Sequence, residues 1–356
     1  MYEERVKRAI EAIKKGEMII IMDDEDRENE GDLVMAGIFS TPQKINFMAQ
    51  EARGLICVSI TNEIAKKLDL PPMVQKNDSN YETAFTISID AKEAKTGISA
   101  YERDMTIRLM CDSNAKPSDF VRPGHIFPLI AKEGGTLVRT GHTEASVDIC
   151  RLAGVAPISV ICEIMKKDGT MAGRGDKFLL DFAKEHSLNI LYVSDIIHYR
   201  LNFENLINES GRENVMFMNE SAEKIHFIDH LGRTHIAFAF AGLSKIASQS
   251  PAQIKPLIRF HNVRSDLELL QDDEEFNALL SSISHLKQQG GYLIFLNQQD
   301  KAHKSCGEIK DFGIGAQILK RLEVQDFILL SSCNTQASEY NALSGFNLHL
   351  IEKIEV

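Results

Sequence analysis

No run of about 18 apolar residues occurs in this chain, which excludes a transmembrane helix. The N-terminal stretch MYEERVKRAIEAIKKG is charged and amphipathic and lacks the apolar segment of a secretion signal. The six cysteines (Cys57, Cys111, Cys150, Cys162, Cys306 and Cys333) lack the short paired spacings of a disulfide framework or a zinc knuckle. They read as buried thiols, and the chain as cytoplasmic. A basic excess is also missing. Forty Lys and Arg face 51 Asp and Glu, a net charge of −11, which argues against nucleic acid or an anionic membrane as a partner. An anionic small substrate needs only a local basic pocket and stays open. What remains is ordinary globular composition, 44% hydrophobic and 26% charged, over 356 residues, a length that predicts two domains.

Along the first half, helices alternate with apolar strands. Val6, Ile10 and Ile13 share a helical face that Gly16 ends, and Met18–Met22 forms a strand. Thr41-Pro42 starts a helix, GLICVSI (54–60) is a buried strand, and Thr61 opens a short helix. TAFTISI (83–89) alternates like a half-buried strand, and 100–111 is helical. HIFPLI (125–130) and TLVRT (136–140) are strand candidates, and Thr143 with Glu144 caps the next helix. ISVICEIM (158–165), a helix ending near His186, and the strand NILYV (189–193) complete a layered α/β domain. The polar stretch 199–212 reads as a linker. Strand-like ENVMFM, KIHFID and THIAFAFA then open a second α/β domain. It continues with PLIRFHNV (256–263), a helix over 273–289, YLIFL (292–296), a helix over 314–322, FILLSS (327–332), and a final helix and strand.

Chemistry concentrates at 23–32, DDEDRENEGD, where seven carboxylates surround Arg27 between two apolar runs. Such a density of like charge costs stability unless a cation or polar substrate absorbs it. Three further polar clusters sit at strand ends: RPGH (122–125), RTGHT (139–143), and the stretch from Cys162 to Asp176. In RTGHT, an arginine and a helix start together suit a phosphate. A carboxylate with an imidazole suits Mg²⁺ or Mn²⁺ held jointly with a polyhydroxy substrate. Glu163, alone inside an apolar strand, must be paired or have a raised pKa. The residues alone point to metal-assisted acid–base chemistry on a small phosphorylated polyol or ketose, and do not fix the reaction.

DDEDRENEGDL, GLICVSI, RPGHIFPL, RTGHTEASVDICRLAG and CEIMKKDGTMAGRGD, in that order, resemble 3,4-dihydroxy-2-butanone 4-phosphate synthase of riboflavin biosynthesis, over residues 1–200. The resemblance implies a mixed sheet flanked by helices. It implies a homodimeric lyase, with active sites near the subunit interface, that converts ribulose 5-phosphate to the four-carbon phosphate and formate. The steps would be metal-assisted enolisation, dehydration, skeletal rearrangement and loss of the fourth carbon. Two Mg²⁺ or Mn²⁺ ions per site, shared with substrate, would be held by Glu28 and His142. Arg27, Glu28, Asp32, Arg139, Thr140, Gly141, His142, Thr143 and Glu163 would bind substrate. His125, Glu163 and Asp32 would be catalytic. SAYER (99–103) departs from the family's more frequent S-A-x-D-R by one methylene at Glu102.

Residues 205–356 resemble GTP cyclohydrolase II through GGYLIFL and KDFGIGAQILKRLEV. That family's three zinc-binding cysteines are missing, since no cysteine lies between Cys162 and Cys306 and His261 alone cannot replace them. The expectation is an inactive domain without zinc, serving as a dimer scaffold or as a nucleotide-binding or regulatory module. The alternative is a bifunctional enzyme that also opens GTP.

Overall fold

The structure, a computed structural model, describes residues 2–25, 27–240, 255–297, 304–332 and 348–356, with 304–312 described by their backbone alone. It divides into two compact units, Met1–Tyr199 and Arg200–Val356. Each is built on a seven-stranded mixed sheet flanked by helices, the α/β class expected from the alternation.

In the first unit, helix α1 (Tyr2–Lys14) buries Val6, Ile10 and Ile13 and ends before Gly16, whose φ is +75°. The strands are β1 (Ile19–Met22), β2 (Gly31–Ala36), β3 (Cys57–Ile60), β4 (Ile89–Ala91), β5 (Phe120–Ile130), β6 (Ser159–Glu163) and β7 (Asn189–Tyr192). Their order is β4-β5-β3-β6-β2-β1-β7. The helices between them are α2 (Pro42–Phe47), α3 (Asn62–Lys67), α4 (Ala100–Met110), α5 (His142–Leu152) and α6 (Lys177–Glu185), with α7 (Val193–Phe203) following β7. Alternation along the central strands explains the unbroken apolar runs. Ile20, Met22, Leu33 and Met35 join Ile45 of α2, Ile107 of α4 and Leu179 of α6 in one core. Ile19, Ile21 and Val34, also fully buried, face the other way, where α1 and α5 pack. Each such side chain contributes about 1.5–3 kcal/mol on burial.

Helix starts agree with the sequence where a side chain caps them. Thr41 Oγ1 accepts the amide of Lys44 at 3.3 Å, and Thr61 Oγ1 accepts that of Ile64 at 3.3 Å. Ahead of α4, the Glu102 carboxylate collects the amide of Lys95 at 2.7 Å and the hydroxyls of Thr96 and Ser99 at 3.1 and 3.0 Å. Its longer arm therefore braces the 95–99 turn.

Several expected elements differ. Residues 83–88 make only isolated bridges, because Pro71, Pro72 and Pro128 lie alongside and offer carbonyls but no N–H groups. The segment 136–140 is no strand. Gly134 and Gly135 have φ of +87° and +62°, and the turn Gly135–Leu137 follows. The start of α5 is capped by Gly141 and not by Thr143, which lies inside the first turn. Strand β5 begins at Phe120, five residues before the expected start, so it contains Pro123. The expected linker 199–212 is mostly regular. Helix α7 runs to Phe203 on the buried Ile196, Ile197 and Leu201, and β8 starts at Ile207.

The second unit holds β8 (Ile207–Phe217), β9 (Glu220–Asp229), β10 (Thr234–Phe240), β11 (Leu257–Asn262), β12 (Gly291–Leu296), β13 (Asp326–Ser331) and β14 (His349–Glu355). Their order is β14-β13-β11-β12-β10-β9-β8. The first three strands form an antiparallel meander, and β11 is parallel to both β12 and β13. Helices span Asp273–Gln289 and Lys304–Arg321, the second longer than the expected 314–322. Phe240, Leu257, Leu279, Ile283, Leu286, Leu293 and Leu330 share one core. The expected final helix, between FILLSS and the last strand, lies outside the described residues. No described helix is long and apolar enough to cross a membrane.

Candidate active site

The acidic run closes the β1–β2 hairpin and reaches into β2, and its described carboxylates divide the work. Asp23 is fully buried. Its Oδ1 accepts the amide of Glu30 at 2.9 Å, and its Oδ2 accepts the amide of Glu28 at 3.1 Å and Arg27 Nη1 at 2.8 Å. It pins the loop from inside. Asn29, at φ +54°, carries the chain back, and its Oδ1 accepts the amide of Arg174 at 2.9 Å. The Arg174 guanidinium lies 3.5 Å from Asp24 and relieves the outer charge.

Glu28 is thereby turned toward His142, the first residue of α5. Glu28 Oε2 lies 3.0 Å from Arg27 Nη1 and 3.5 Å from His142 Nδ1, while His142 Nε2 is 3.2 Å from the carbonyl of Glu30. Asp23, Glu28 and His142 each offer a ligand atom within 4.8 Å of the others. Since both Asp23 oxygens are committed to the loop, Glu28 and His142 are the pair best able to hold an ion. Asp32 belongs to β2, directly opposite Glu163 of β6, so the two carboxylates share one face of the sheet. Asp32 Oδ1 lies 3.9 Å from His142 Nε2, is buried and has no hydrogen-bond partner. An orphaned buried carboxylate oxygen beside a carboxylate and an imidazole is a donor set that fits a hard divalent ion.

The electrostatics follow from burial and crowding. Burial, with Glu163 and Glu28 nearby, pushes Asp32 up to about 8 against the pull of His142. Burial disfavours the His142 cation, yet Asp32, Glu28 and Asp23 outweigh it and raise the imidazole to about 9. Burial would raise Glu28, but the His142 hydrogen bond and the Arg27 charge hold it at about 2.

Glu163 meets the expectation of a partner. Its Oε2 accepts the amide of Leu55 at 2.8 Å. His125 lies apart: its ring and amide are held by Asp90, each at 2.8 Å, and among the described residues no contact joins it to Glu28, Asp32 or His142. Thr140 is half-buried just ahead of the buried Gly141 and Thr143 at the start of α5. Arg139 points at Glu144, Tyr81 and Thr83. Tyr81 was invisible in the sequence, lying in a polar stretch without periodicity. Its hydroxyl donates to the carbonyl of Arg27 at 2.8 Å, and its ring lies 5.2 Å beneath the Arg27 guanidinium. Cys57, Cys111, Cys150 and Cys162 are free. Cys57, Cys150 and Cys162 are buried, and burial pushes their thiols up. The side chains of Cys306 and Cys333 lie outside the described residues.

A layered α/β chain with a carboxylate–imidazole centre suited to a hard cation is the class that this fold and site define. The model of the 3,4-dihydroxy-2-butanone 4-phosphate synthase family matches residues 7–199. The chain is 78% identical over 359 residues, covering 100% of both chains, to the 3,4-dihydroxy-2-butanone 4-phosphate synthase of Helicobacter hepaticus. It is similar over 99% of its length, at 38% identity and a TM-score of 0.81, to all of RibBX, a two-domain 3,4-dihydroxy-2-butanone 4-phosphate synthase from A. baumannii. A synthase solved in complex with two magnesium ions aligns 97% of its length with 56% of this chain, at 39% identity and a TM-score of 0.52. The chain belongs to the 3,4-dihydroxy-2-butanone 4-phosphate synthase family.

Proposed function

We propose that the first unit converts ribulose 5-phosphate to 3,4-dihydroxy-2-butanone 4-phosphate and formate, as a cytoplasmic homodimer serving riboflavin biosynthesis. The observation that carries this reading is the meeting of Glu28 and His142 at the hairpin tip, with Asp32 and Glu163 on adjacent strands. Glu28 and His142 would hold Mg²⁺ or Mn²⁺, two ions per site shared with substrate. Such ions supply charge stabilisation to oxygens of the bound sugar. Asp32 moves protons through its unpartnered Oδ1, since burial brings its carboxyl close to the operating pH. Glu163, fixed by the Leu55 amide, orients the substrate's hydroxyls and assists proton transfer. No side chain caps α5, so its positive end at Gly141–Thr143, with Thr140 and Arg27, takes the phosphate. His125 then acts from the second copy of the chain. Exposed Tyr101 and Met105, one turn apart on α4, provide apolar surface for that pairing. Purified chain with ribulose 5-phosphate and Mg²⁺ is expected to release formate and the four-carbon phosphate, and EDTA to stop it. Turnover that survives metal removal contradicts the reading.

Because His142 is protonated at neutral pH, an ion must displace its proton. Mn²⁺ affinity should therefore rise with pH through the neutral range and level off once the raised imidazole has lost its proton. Calorimetry in buffers of different ionisation heat should show net proton release on binding at pH 7.5. A pH-independent affinity rules out His142 as a ligand.

The second unit we read as a GTP cyclohydrolase II-like domain over 205–356 that lacks zinc and does not open GTP. His261 is already engaged: its Nδ1 is 3.2 Å from Glu275 Oε1, which Arg259 Nη2 also reaches at 2.7 Å. Ser332 donates to the other carboxylate oxygen at 2.7 Å. Burial would raise Glu275, but His261, Ser332 and Arg259 hold it at about 2. An imidazole tied into an anionic network supports a structural or regulatory role better than a zinc site. Metal analysis should find less than one zinc per chain, with no formate from GTP. Stoichiometric zinc with GTP-dependent formate overturns this reading and makes the enzyme bifunctional.

A further inference from the structure

The RPGH cluster is built to hold one imidazole. Strand β4 pairs Ile89 with Ile126 and the next residue, Asp90, with Val121. Residues Arg122 to His125 therefore bulge out of β5 between two consecutive pairs of the ladder. A bulge leaves backbone amides without ladder partners, and side chains at and just before β4 take them here. Ser88 Oγ accepts the amide of Gly124 at 3.1 Å, and Asp90 Oδ1 accepts that of His125 at 2.8 Å. Arg122 fastens the other end, its Nη1 donating to the Pro117 carbonyl at 3.1 Å and its Nη2 to the Leu68 carbonyl at 2.8 Å. Gly124 suits the crossing, since a Cβ there would overlap the backbone of Ile89 and Asp90.

Asp90 does more than hold an amide. It is buried, and its second oxygen, Oδ2, lies 2.8 Å from His125 Nδ1. The 95–99 turn that Glu102 braces closes over the pair at Gly97, whose φ is +79°. A Cβ at Gly97 would overlap Asp90 Oδ2 and lie 2.6 Å from His125 Nδ1. The imidazole itself is 42% exposed, and no hydrogen bond from a described residue reaches its Nε2. A carboxylate only accepts, so Nδ1 carries hydrogen in both the neutral and the charged ring. In the neutral ring the lone pair then sits on Nε2. We propose that Asp90 is a positioning residue for the reaction: it fixes the tautomer and direction of His125, so that Nε2 is the atom that exchanges a proton with substrate. A purely structural carboxylate would need only the bond to the His125 amide, which asparagine can make as well. Asparagine, however, turns an N–H donor toward Nδ1 and so favours the opposite tautomer, with hydrogen on Nε2 and no base there.

This role rests on the function proposed above, and a spectroscopic arm keeps the two apart. Nitrogen-15 NMR of the full-length protein, labelled at histidine and recorded at alkaline pH, reads the tautomer of each neutral ring. The signals of His125 are assigned by their disappearance in His125→Gln. The wild type should carry hydrogen on Nδ1 and a lone pair on Nε2, and Asp90→Asn the reverse. In steady-state assays Asp90→Asn should lose about 100-fold in kcat, with KM for ribulose 5-phosphate changed less than about threefold. Added to His125→Gln, it should cost nothing further, because its effect passes through the imidazole. Circular dichroism verifies folding. Hydrogen on Nε2 in the wild type overturns the proposal. So does Asp90→Asn with kcat within about threefold of the wild type, a loss that falls on KM or thermal stability alone, or a further loss in the double variant. Should Asp90→Asn not fold, the wild-type spectrum decides. That spectrum reads out even if the wild-type chain proves inactive on ribulose 5-phosphate.

Discussion

Glu28→Gln is expected to lower kcat/KM by about three orders of magnitude, with the chain still folded. Glutamine matches glutamate in shape, so the hairpin keeps its pin at Asp23, whose bonds to the Glu28 and Glu30 amides do not involve the Glu28 side chain. What is lost is the anion between Arg27 and His142. Without it the hard-cation pair is reduced to an imidazole, which a divalent ion such as Mg²⁺ does not favour on its own. A Mn²⁺ titration alongside the kinetics should show affinity and turnover falling together. A variant that binds Mn²⁺ as the wild type does, with unchanged kcat/KM, would remove Glu28 from the centre.

Gly54→Ala should be a damaging methyl group at the site itself. A Cβ at this position would lie 2.6 Å from Glu163 Oε2 and 2.7 Å from the Glu163 amide nitrogen, and closer still to its carbonyl oxygen. The carboxylate arm could swing away, but the β6 backbone beside β2 cannot, so the approach to β3 must shift. That shift breaks the bond from the Leu55 amide to Glu163. We expect about 2–3 kcal/mol of destabilisation and roughly 100-fold lower kcat. Thermal melts and steady-state kinetics check it against Gly211→Ala, where a Cβ would meet open space and the change should be small. Equal behaviour of the two variants would mean that Glu163 tolerates displacement.

The legibility of this chain in its sequence varied with what set each element. Strands β1, β2, β3 and β6 are buried on both faces, and unbroken runs such as Ile19–Met22 announce them. Caps whose side chains do the bonding, Thr41 and Thr61, were legible for the same local reason. Elements governed by distant partners were not. TLVRT has a strand's composition, yet Asp148, twelve residues on, accepts the amide of Thr136 and holds a turn. The polar surface of 199–212 concealed a helix whose buried face shows only through Ile196, Ile197 and Leu201. In the site, the pairing of Glu28 with His142 and the pairing of Glu163 followed from motif chemistry. The pinning role of Asp23, the bridge made by Tyr81 and the hold of Glu144 on Arg139 arise from contacts 5 to 58 residues apart that no spacing rule encodes.

In the proposed function, the hairpin tip and the start of α5 form the centre that expels one carbon of ribulose 5-phosphate. The most direct measurement supplies the purified full-length chain and Mg²⁺ with ribulose 5-phosphate carrying carbon-13 at its fourth carbon, and follows both products by NMR. The label is expected in formate and absent from the four-carbon phosphate, with Glu28→Gln producing neither. Label retained in the phosphate product, or no formate from the wild-type chain, would contradict it.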